Sequence, residues 1–165
     1  MMVLAQTPEA RAIVAAYLQM RIGETLVGDM PYGAAAVISG GEMVGGILFT
    51  NFRGSTVEIA LAGKPGWLTR GVVTAMFRHV FLDLGALCCC AIVRRDNGPS
   101  RSLASRLGGR EAGVVEHAFG QGLDGILYTM TREACPWIKG YNHGKIHAKK
   151  PEPRRGRQRA NRIEH

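Results

Sequence analysis

A chain of 165 residues, 46% hydrophobic and 21% charged, has the size and balance of one soluble globular domain with a single core. No run approaches the roughly 20 apolar residues that a membrane span needs, and MMVLAQTPEARAIV has neither the basic start nor the cleavage site of a secretory leader, so the reading is a cytoplasmic protein without membrane contact. The net charge of +8 is uneven: residues 139–165 hold nine Lys and Arg against two Glu, whereas residues 1–138 hold twelve against eleven.

In chain order, Thr7-Pro8-Glu9 supplies a capping hydroxyl, a proline for the first helical position and an acid for the first turn. A helix over 8–21 follows, with Ile13, Tyr17 and Met20 on one face. Residues 22–31 are open, a second short helix being one reading. YGAAAVISGGEMVGGILFTNF reads as a hairpin, because two runs of small and β-branched residues flank Gly40-Gly41. STVEIALAG gives a third strand over 56–62. In LTRGVVTAMFRHVFLDLG the apolar positions 73, 76, 77, 80, 81 and 84 have helical spacing, predicting a helix over 70–84 that stops at Gly85. ALCCCAIV is the next strand, 87–93. PSRSLASRL is a short helix ended by Gly108-Gly109, and EAGVVEHAF with DGILYTMTR forms a closing hairpin. The order predicts an α/β fold with a mixed, mostly antiparallel sheet and one strand–helix–strand crossover at its centre. The expected division is a folded domain over 1–138 and, over 139–165, a flexible basic tail without apolar periodicity.

Three motifs carry little. GQGLDG at 120–125 has the glycine spacing of a dinucleotide fingerprint, but lies between two strands, where its glycines serve a hairpin loop. His143 and His147 are four apart with no glutamate between them and no third ligand, so no metal is expected. Cys88, Cys89 and Cys90 are adjacent and Cys135 stands alone, a spacing of neither disulfides nor zinc; neighbouring strand residues alternate faces, and the cysteines serve as small apolar residues.

Two junctions are more informative. In KPGWLTRGVVT a strand ends, a loop with Gly and Pro follows, and a helix begins near Arg70. Unpaired backbone N–H groups and the positive end of the helix dipole converge there, an arrangement suited to phosphate. In RRDNGPSRSLASRLGG a second strand feeds a proline-started helix through Asn97 and Ser100. If strands 56–62 and 87–93 are parallel neighbours joined by helix 70–84, both junctions lie on one sheet edge, where ligands of open α/β sheets bind.

The runs EIAL, WLTRGVVTAM, AIVRRDNGPSRSLASRLGG and DGILYTM together resemble the GNAT N-acetyltransferases over residues 33–137, most closely the type that acetylates ribosomal-protein N-termini. The resemblance implies a splayed sheet with a central parallel strand pair and flanking helices, holding acetyl-coenzyme A between the two parallel strands. The pyrophosphate would sit on the amides of Thr69, Arg70, Gly71, Val72, Val73 and Thr74. The pantetheine would pair like an added strand with Ala60, Leu61 and Ala62, and Asn97 and Ser100 would meet the pantetheine and thiol end. Four positions depart from the family pattern. Leu68 replaces a polar donor and Val73 a small residue, Gly109 stands where a Phe is frequent, and Ala104 stands where many relatives carry the tyrosine acid that reprotonates the thiolate. Ser100 or water would take over that last role.

Glu58, on the strand beside the expected cleft, is the candidate general base, because an amine attacks a thioester only when neutral. The expected activity is acetyl transfer from acetyl-coenzyme A to an acceptor amine by direct attack, with a protein N-terminus, a small amine and a nucleobase all open as acceptors. The alternative is a catalytically weakened protein of the same fold that associates with nucleic acid, without sequence specificity, through 139–165. The assembly is expected to be a monomer or homodimer.

Overall fold

The computed structural model describes residues 1–24, 26, 28 and 30–139. The basic segment from residue 140 onward, with His143 and His147, lies outside the described residues, as do Thr25, Val27 and Asp29.

Seven strands form one sheet: β1 (Met2–Leu4), β2 (Gly33–Ser39), β3 (Glu42–Thr50), β4 (Thr56–Gly63), β5 (Cys88–Arg94), β6 (Arg110–Val115) and β7 (Gly125–Thr131), in the order β1-β2-β3-β4-β5-β7-β6. Every neighbouring pair is antiparallel except β4 and β5. The β2–β3 hairpin turns at Gly40 and Gly41, both at positive φ. β1, too short to leave a pattern in the sequence, adds an edge through the pairs Met2↔Val37 to Leu4↔Ala35.

Helix α1 (Pro8–Ile22) begins as the sequence indicates: Thr7 Oγ1 accepts from Ala10 N at 3.1 Å, and Gly23 ends the helix in the left-handed conformation. Its buried face is not the one that carries Ile13 and Met20. Val14, Ala15 and Leu18 are buried, whereas Ile13 is 64% and Met20 87% exposed. Alanines at 10, 12, 15 and 16 spread apolar character around the helix, so the choice of face falls to the sheet. There Ala34, Ala36, Ala60 and Ala62 pack in the α1 cluster, and a Cβ on Gly46 would lie 3.1 Å from both Leu18 Cγ and Val14 Cγ1.

The opposite face is covered by α2 (Arg70–Arg78), which runs on into a π-helical turn, His79–Asp83, before Gly85 at positive φ. Val72, Val73, Met76, Phe77, Val80 and Phe81 pack there on Val57, Ile59 and Cys89 in the main core. Helix α3 (Gly98–Arg106) follows β5 and contacts β5, β6 and β7. The crossover β4–α2–β5 is the predicted one, and its two strands are parallel neighbours.

Candidate active site

The parallel pair is short. β4 and β5 are paired only at Thr56↔Cys88, Val57↔Cys89 and Glu58↔Cys90. Beyond Glu58, β4 keeps its pairing with β3 as far as Gly63↔Gly45, and β5 keeps its pairing with β7 as far as Arg94↔Gly125. Residues 59–63 and 91–94 therefore turn unpaired strand edges toward each other across a slot. Unpaired N–H and C=O groups in a row are a template for an extended, amide-bearing ligand.

The slot holds a cavity of about 490 Å³ that is lined from both faces of the sheet. Arg21, Ile22 and Glu24 line it from the α1 side, and Ser100, Leu103, Ala104 and Leu107 from α3. Small residues keep it open: Ala60, Ala62, Ala91, Ala104 and Gly109 all border it. A second cavity of about 810 Å³ shares Leu103 and Leu107 with the first and opens beside the loop Lys64–Leu68, with Arg70, Arg106, Pro136 and Trp137 around it. The second therefore lies next to the first and reaches Arg70 at the N-terminus of α2.

At that N-terminus, Thr69 is the cap: its Oγ1 accepts from Val72 N and its backbone oxygen from Val73 N, while its own N–H donates to Trp67 O at 3.0 Å. Of the amides over 69–74, those of Arg70 and Gly71 belong to the first helical turn, where no acceptor exists within a helix. Val73 is 2% exposed, so its bulk is absorbed by the core. Leu68 packs against the same core.

At the other junction, Asn97 caps α3, with its Oδ1 accepting from Ser100 N at 3.1 Å. Both line the slot cavity. The two arginines ahead of the cap brace the turn. Arg94 holds Asp96 through Nε (3.0 Å) and a terminal nitrogen (2.7 Å), and Arg95 lies 3.6 Å from Asp124 Oδ2. Behind α3, Tyr128 is 3% exposed. Its hydroxyl donates to Glu111 at 2.7 Å, and Arg101 also donates to Glu111, at 2.9 Å. Those two bonds hold the Glu111 carboxyl below its ordinary range, Arg101 foremost.

Glu58 lies on the α1 face of β4, alternating with the core residues Val57 and Ile59, and lines the slot where the strands part. Asn51 Nδ2 donates to Glu58 Oε2 at 2.7 Å. Asn51 itself has a left-handed φ of 51° just past β3, a conformation asparagine tolerates better than most residues. Glu24, on the same side of the slot, has its carboxyl pushed up by burial, with Arg94 opposing. Beside Glu58, burial first and then the Glu58 charge push the Cys90 thiol up to about 11, and burial pushes Cys89 up to about 12. Among the described residues, no group of three or more His, Cys, Asp and Glu is placed to hold a metal, and no helix is long and apolar enough to cross a membrane.

The structure puts Glu58, Asn97 and Ser100 around the slot cavity and Arg70 beside the second one; Asn51, Trp67 and the Arg101–Glu111–Tyr128 network were not singled out from the sequence. An asparagine directly after a strand was the available signal for Asn51.

The chain matches no protein-family model and no curated protein, but it superimposes on solved structures. A chimera of the Vibrio cholerae spermidine N-acetyltransferase SpeG and hSSAT aligns with a TM-score of 0.65 at 13% identity, over 81% of this chain and 97% of that one. The fold is the GNAT fold. Mycobacterium smegmatis RimJ, in complex with CoA-disulfide, aligns with a TM-score of 0.58 at 18% identity over 82% and 84% of the two chains. A GNAT-family acetyltransferase from Bacillus anthracis aligns with a TM-score of 0.52 at 21% identity, over 62% of this chain and 66% of that one. Likeness at this identity extends to the GNAT architecture: a mostly antiparallel open sheet that splits at one parallel pair.

Proposed function

We propose that this protein is an N-acetyltransferase that uses acetyl-coenzyme A and works in a ternary complex, with the cofactor entering on the α3 side of the slot and the acceptor amine on the α1 side. The observation that carries the proposal is the loss of β4–β5 pairing after Glu58↔Cys90, which leaves strand edges for the pantetheine amides of the cofactor. The second cavity suits the rest of that molecule, since Arg70 and Gly71 offer amides and Arg70 and Arg106 border it; phosphate oxygens are stabilised at such a place. The structural likeness to RimJ, which was solved with CoA-disulfide, supports the same cofactor.

When bound, acetyl-coenzyme A supplies a thioester whose carbonyl carbon accepts the amine lone pair and whose C–S bond then breaks. Glu58 takes the proton from the acceptor ammonium, directly or through one water, because only the neutral amine has a lone pair to give. Asn51 holds one carboxylate oxygen and fixes the orientation of the other. Ala60, Leu61 and Ala62 align the pantetheine. Asn97 commits its Oδ1 to the helix cap, which leaves its Nδ2 hydrogens for the cofactor. Ser100, at the mouth of the first turn of α3, returns a proton to the leaving sulfur, itself or through water, in place of the tyrosine that Ala104 lacks.

The acceptor is an amine. The names of the neighbours include a spermidine acetyltransferase, and Glu24 and Glu58 together suit a small cationic amine at the α1 mouth; a protein N-terminus and a nucleobase are the other classes to be tested. Release of free thiol from acetyl-coenzyme A over a panel of polyamines, peptides, aminoglycosides and nucleic acids tests the reading. Amine-dependent release is expected, and its absence with every class would oppose it.

The charge asymmetry of the sequence favours a second role: non-specific attachment to nucleic acid through the basic segment 139–165. Neutralising Arg154, Arg155, Arg157 and Arg159 to Gln in the full chain should then abolish salt-sensitive binding to duplex DNA, and unchanged binding would remove this role.

A further inference from the structure

Gly45 and Gly63 face each other directly in the β3–β4 ladder. Neither has room for a side chain. A Cβ on Gly45 would fall inside the envelope of the Trp67 indole, and a Cβ on Gly63 would lie 2.5 Å from the ring Cγ. The indole therefore lies across a two-glycine floor at the end of the central strands, part of its surface against the main core and part bordering the second cavity.

The backbone around this ring is a chain of short bonds. Lys64 N donates to Val44 O at 2.7 Å, Trp67 N to Lys64 O at 3.2 Å, and Thr69 N to Trp67 O at 3.0 Å. Gly66 provides the positive φ of 78° that lets the loop double back. The residue after this chain is Arg70, the first of α2. From the sheet to the helix start, Trp67 is the one large side chain of the loop that reaches the glycine floor.

We infer that Trp67, seated on Gly45 and Gly63, is a positioning residue that fixes the height and direction of the α2 N-terminus over the cavity and so sets the affinity for the pyrophosphate of coenzyme A. This rests on the proposed acetyltransferase reading. The physical argument is one of register. Backbone donors hold a phosphate through several amides that converge on one point, so a displaced helix N-terminus weakens all of those bonds together. Of the other loop side chains, Leu68 packs on the main core and Lys64 pairs with Glu42 at 2.9 Å on the surface, so it is Trp67 that seats the loop on the sheet. An indole laid against the backbone of Gly45 and Gly63 ties the loop to the β3–β4 ladder, and glycine is required beneath it because any Cβ would lift the ring.

Coenzyme A should be titrated calorimetrically into the full-length wild type, Trp67→Ala, Trp67→Phe, Gly45→Ala and Val80→Ala, each below its melting temperature. Val80 is buried in the core beyond the far end of α2 and outside both cavities, so its variant loses stability without touching the loop. The expected result is a Kd raised by about tenfold or more in Trp67→Ala and Gly45→Ala, the loss of about one hydrogen bond to a charged group, within about threefold of wild type in Trp67→Phe, and unchanged in Val80→Ala. Wild-type affinity in Trp67→Ala overturns the assignment, as does an equal loss in Val80→Ala at a matched melting temperature. If Trp67→Ala does not fold, Gly45→Ala and Trp67→Phe decide: wild-type affinity in Gly45→Ala, or a loss in both, overturns the assignment. A wild type that takes up no coenzyme A overturns the acetyltransferase reading, and this inference with it.

Discussion

Asn51 and Glu58 are joined across the β3–β4 ladder by a 2.7 Å bond from the asparagine Nδ2 to one carboxylate oxygen, at the point where β4 parts from β5. The bond restrains the carboxylate that borders the slot without burying it. Glu58→Gln keeps the shape and removes the base, so acetyl transfer should fall by about 10²–10⁴ while the affinity for coenzyme A stays at the wild-type value. Asn51→Ala should lower the rate by less, since the base survives with looser orientation. Steady-state rates and calorimetric titration together check both expectations, and a fully active Glu58→Gln would remove Glu58 from the mechanism.

Asn97 has two separable tasks. Its Oδ1 caps α3 through Ser100 N, and its Nδ2 is assigned to the cofactor. Asn97→Asp retains an N-capping oxygen of similar strength but loses the amide donor and adds negative charge. Thermal melting should be nearly unchanged while coenzyme A affinity drops. Asn97→Ala should lose both affinity and about 1 kcal/mol of stability.

The cysteines were expected to serve as small apolar residues, and Cys89 and Cys135 are buried while Cys88 and Cys90 are half-buried. With Cys90 pushed up to about 11 and Cys89 to about 12, neither is a thiolate near neutral pH, so Cys90→Ser should retain acetyl transfer. The same shifts predict a stability change. The ordinary thiol value is 9.0; above it the unfolded chain releases protons that the folded chain keeps, so the folded state binds more protons and stability must fall as pH rises. The contribution is fully present below pH 9 and disappears as pH climbs through the folded-state values. Chemical denaturation at pH 7 and 10.5 should show this loss, and Cys89→Ala should show a smaller one.

Most of the scaffold was legible because the relevant signals are local. The Thr7 cap, the Gly40-Gly41 turn, the periodicity of α2 and the Asn97-Gly-Pro start of α3 each follow from the chemistry of a few adjacent residues. The GQGLDG loop was correctly read from its flanking strands. What was not legible depends on partners distant in sequence. The buried face of α1 is selected by Gly46 and the alanines of β2 and β4, so Ile13 and Met20 could not be assigned from the helix alone. The parallel pairing of β4 with β5 and its splay were expected from the family resemblance, whereas the residue at which pairing stops, Glu58↔Cys90, could not be read from either strand alone.

Gly109 illustrates the same limit. It stands where the resembled family frequently has a Phe, yet its N–H donates to Ala104 O at 3.0 Å, and a Cβ there would sit 3.0 Å from that same oxygen. The position has no room to fill. Gly109→Ala should therefore destabilise the fold by about 1–3 kcal/mol, measurable by denaturant titration, and neutral behaviour would show that the α3–β6 turn relaxes freely.

The central claim is that coenzyme A lies in the slot between β4 and β5. Hydrogen exchange of the backbone amides, with and without coenzyme A, tests it most directly. The account predicts slowed exchange concentrated at residues 59–63, at Arg70 and Gly71, and at Asn97, Gly98 and Ser100. Saturating binding that leaves residues 59–63 exchanging as in the free protein would contradict it.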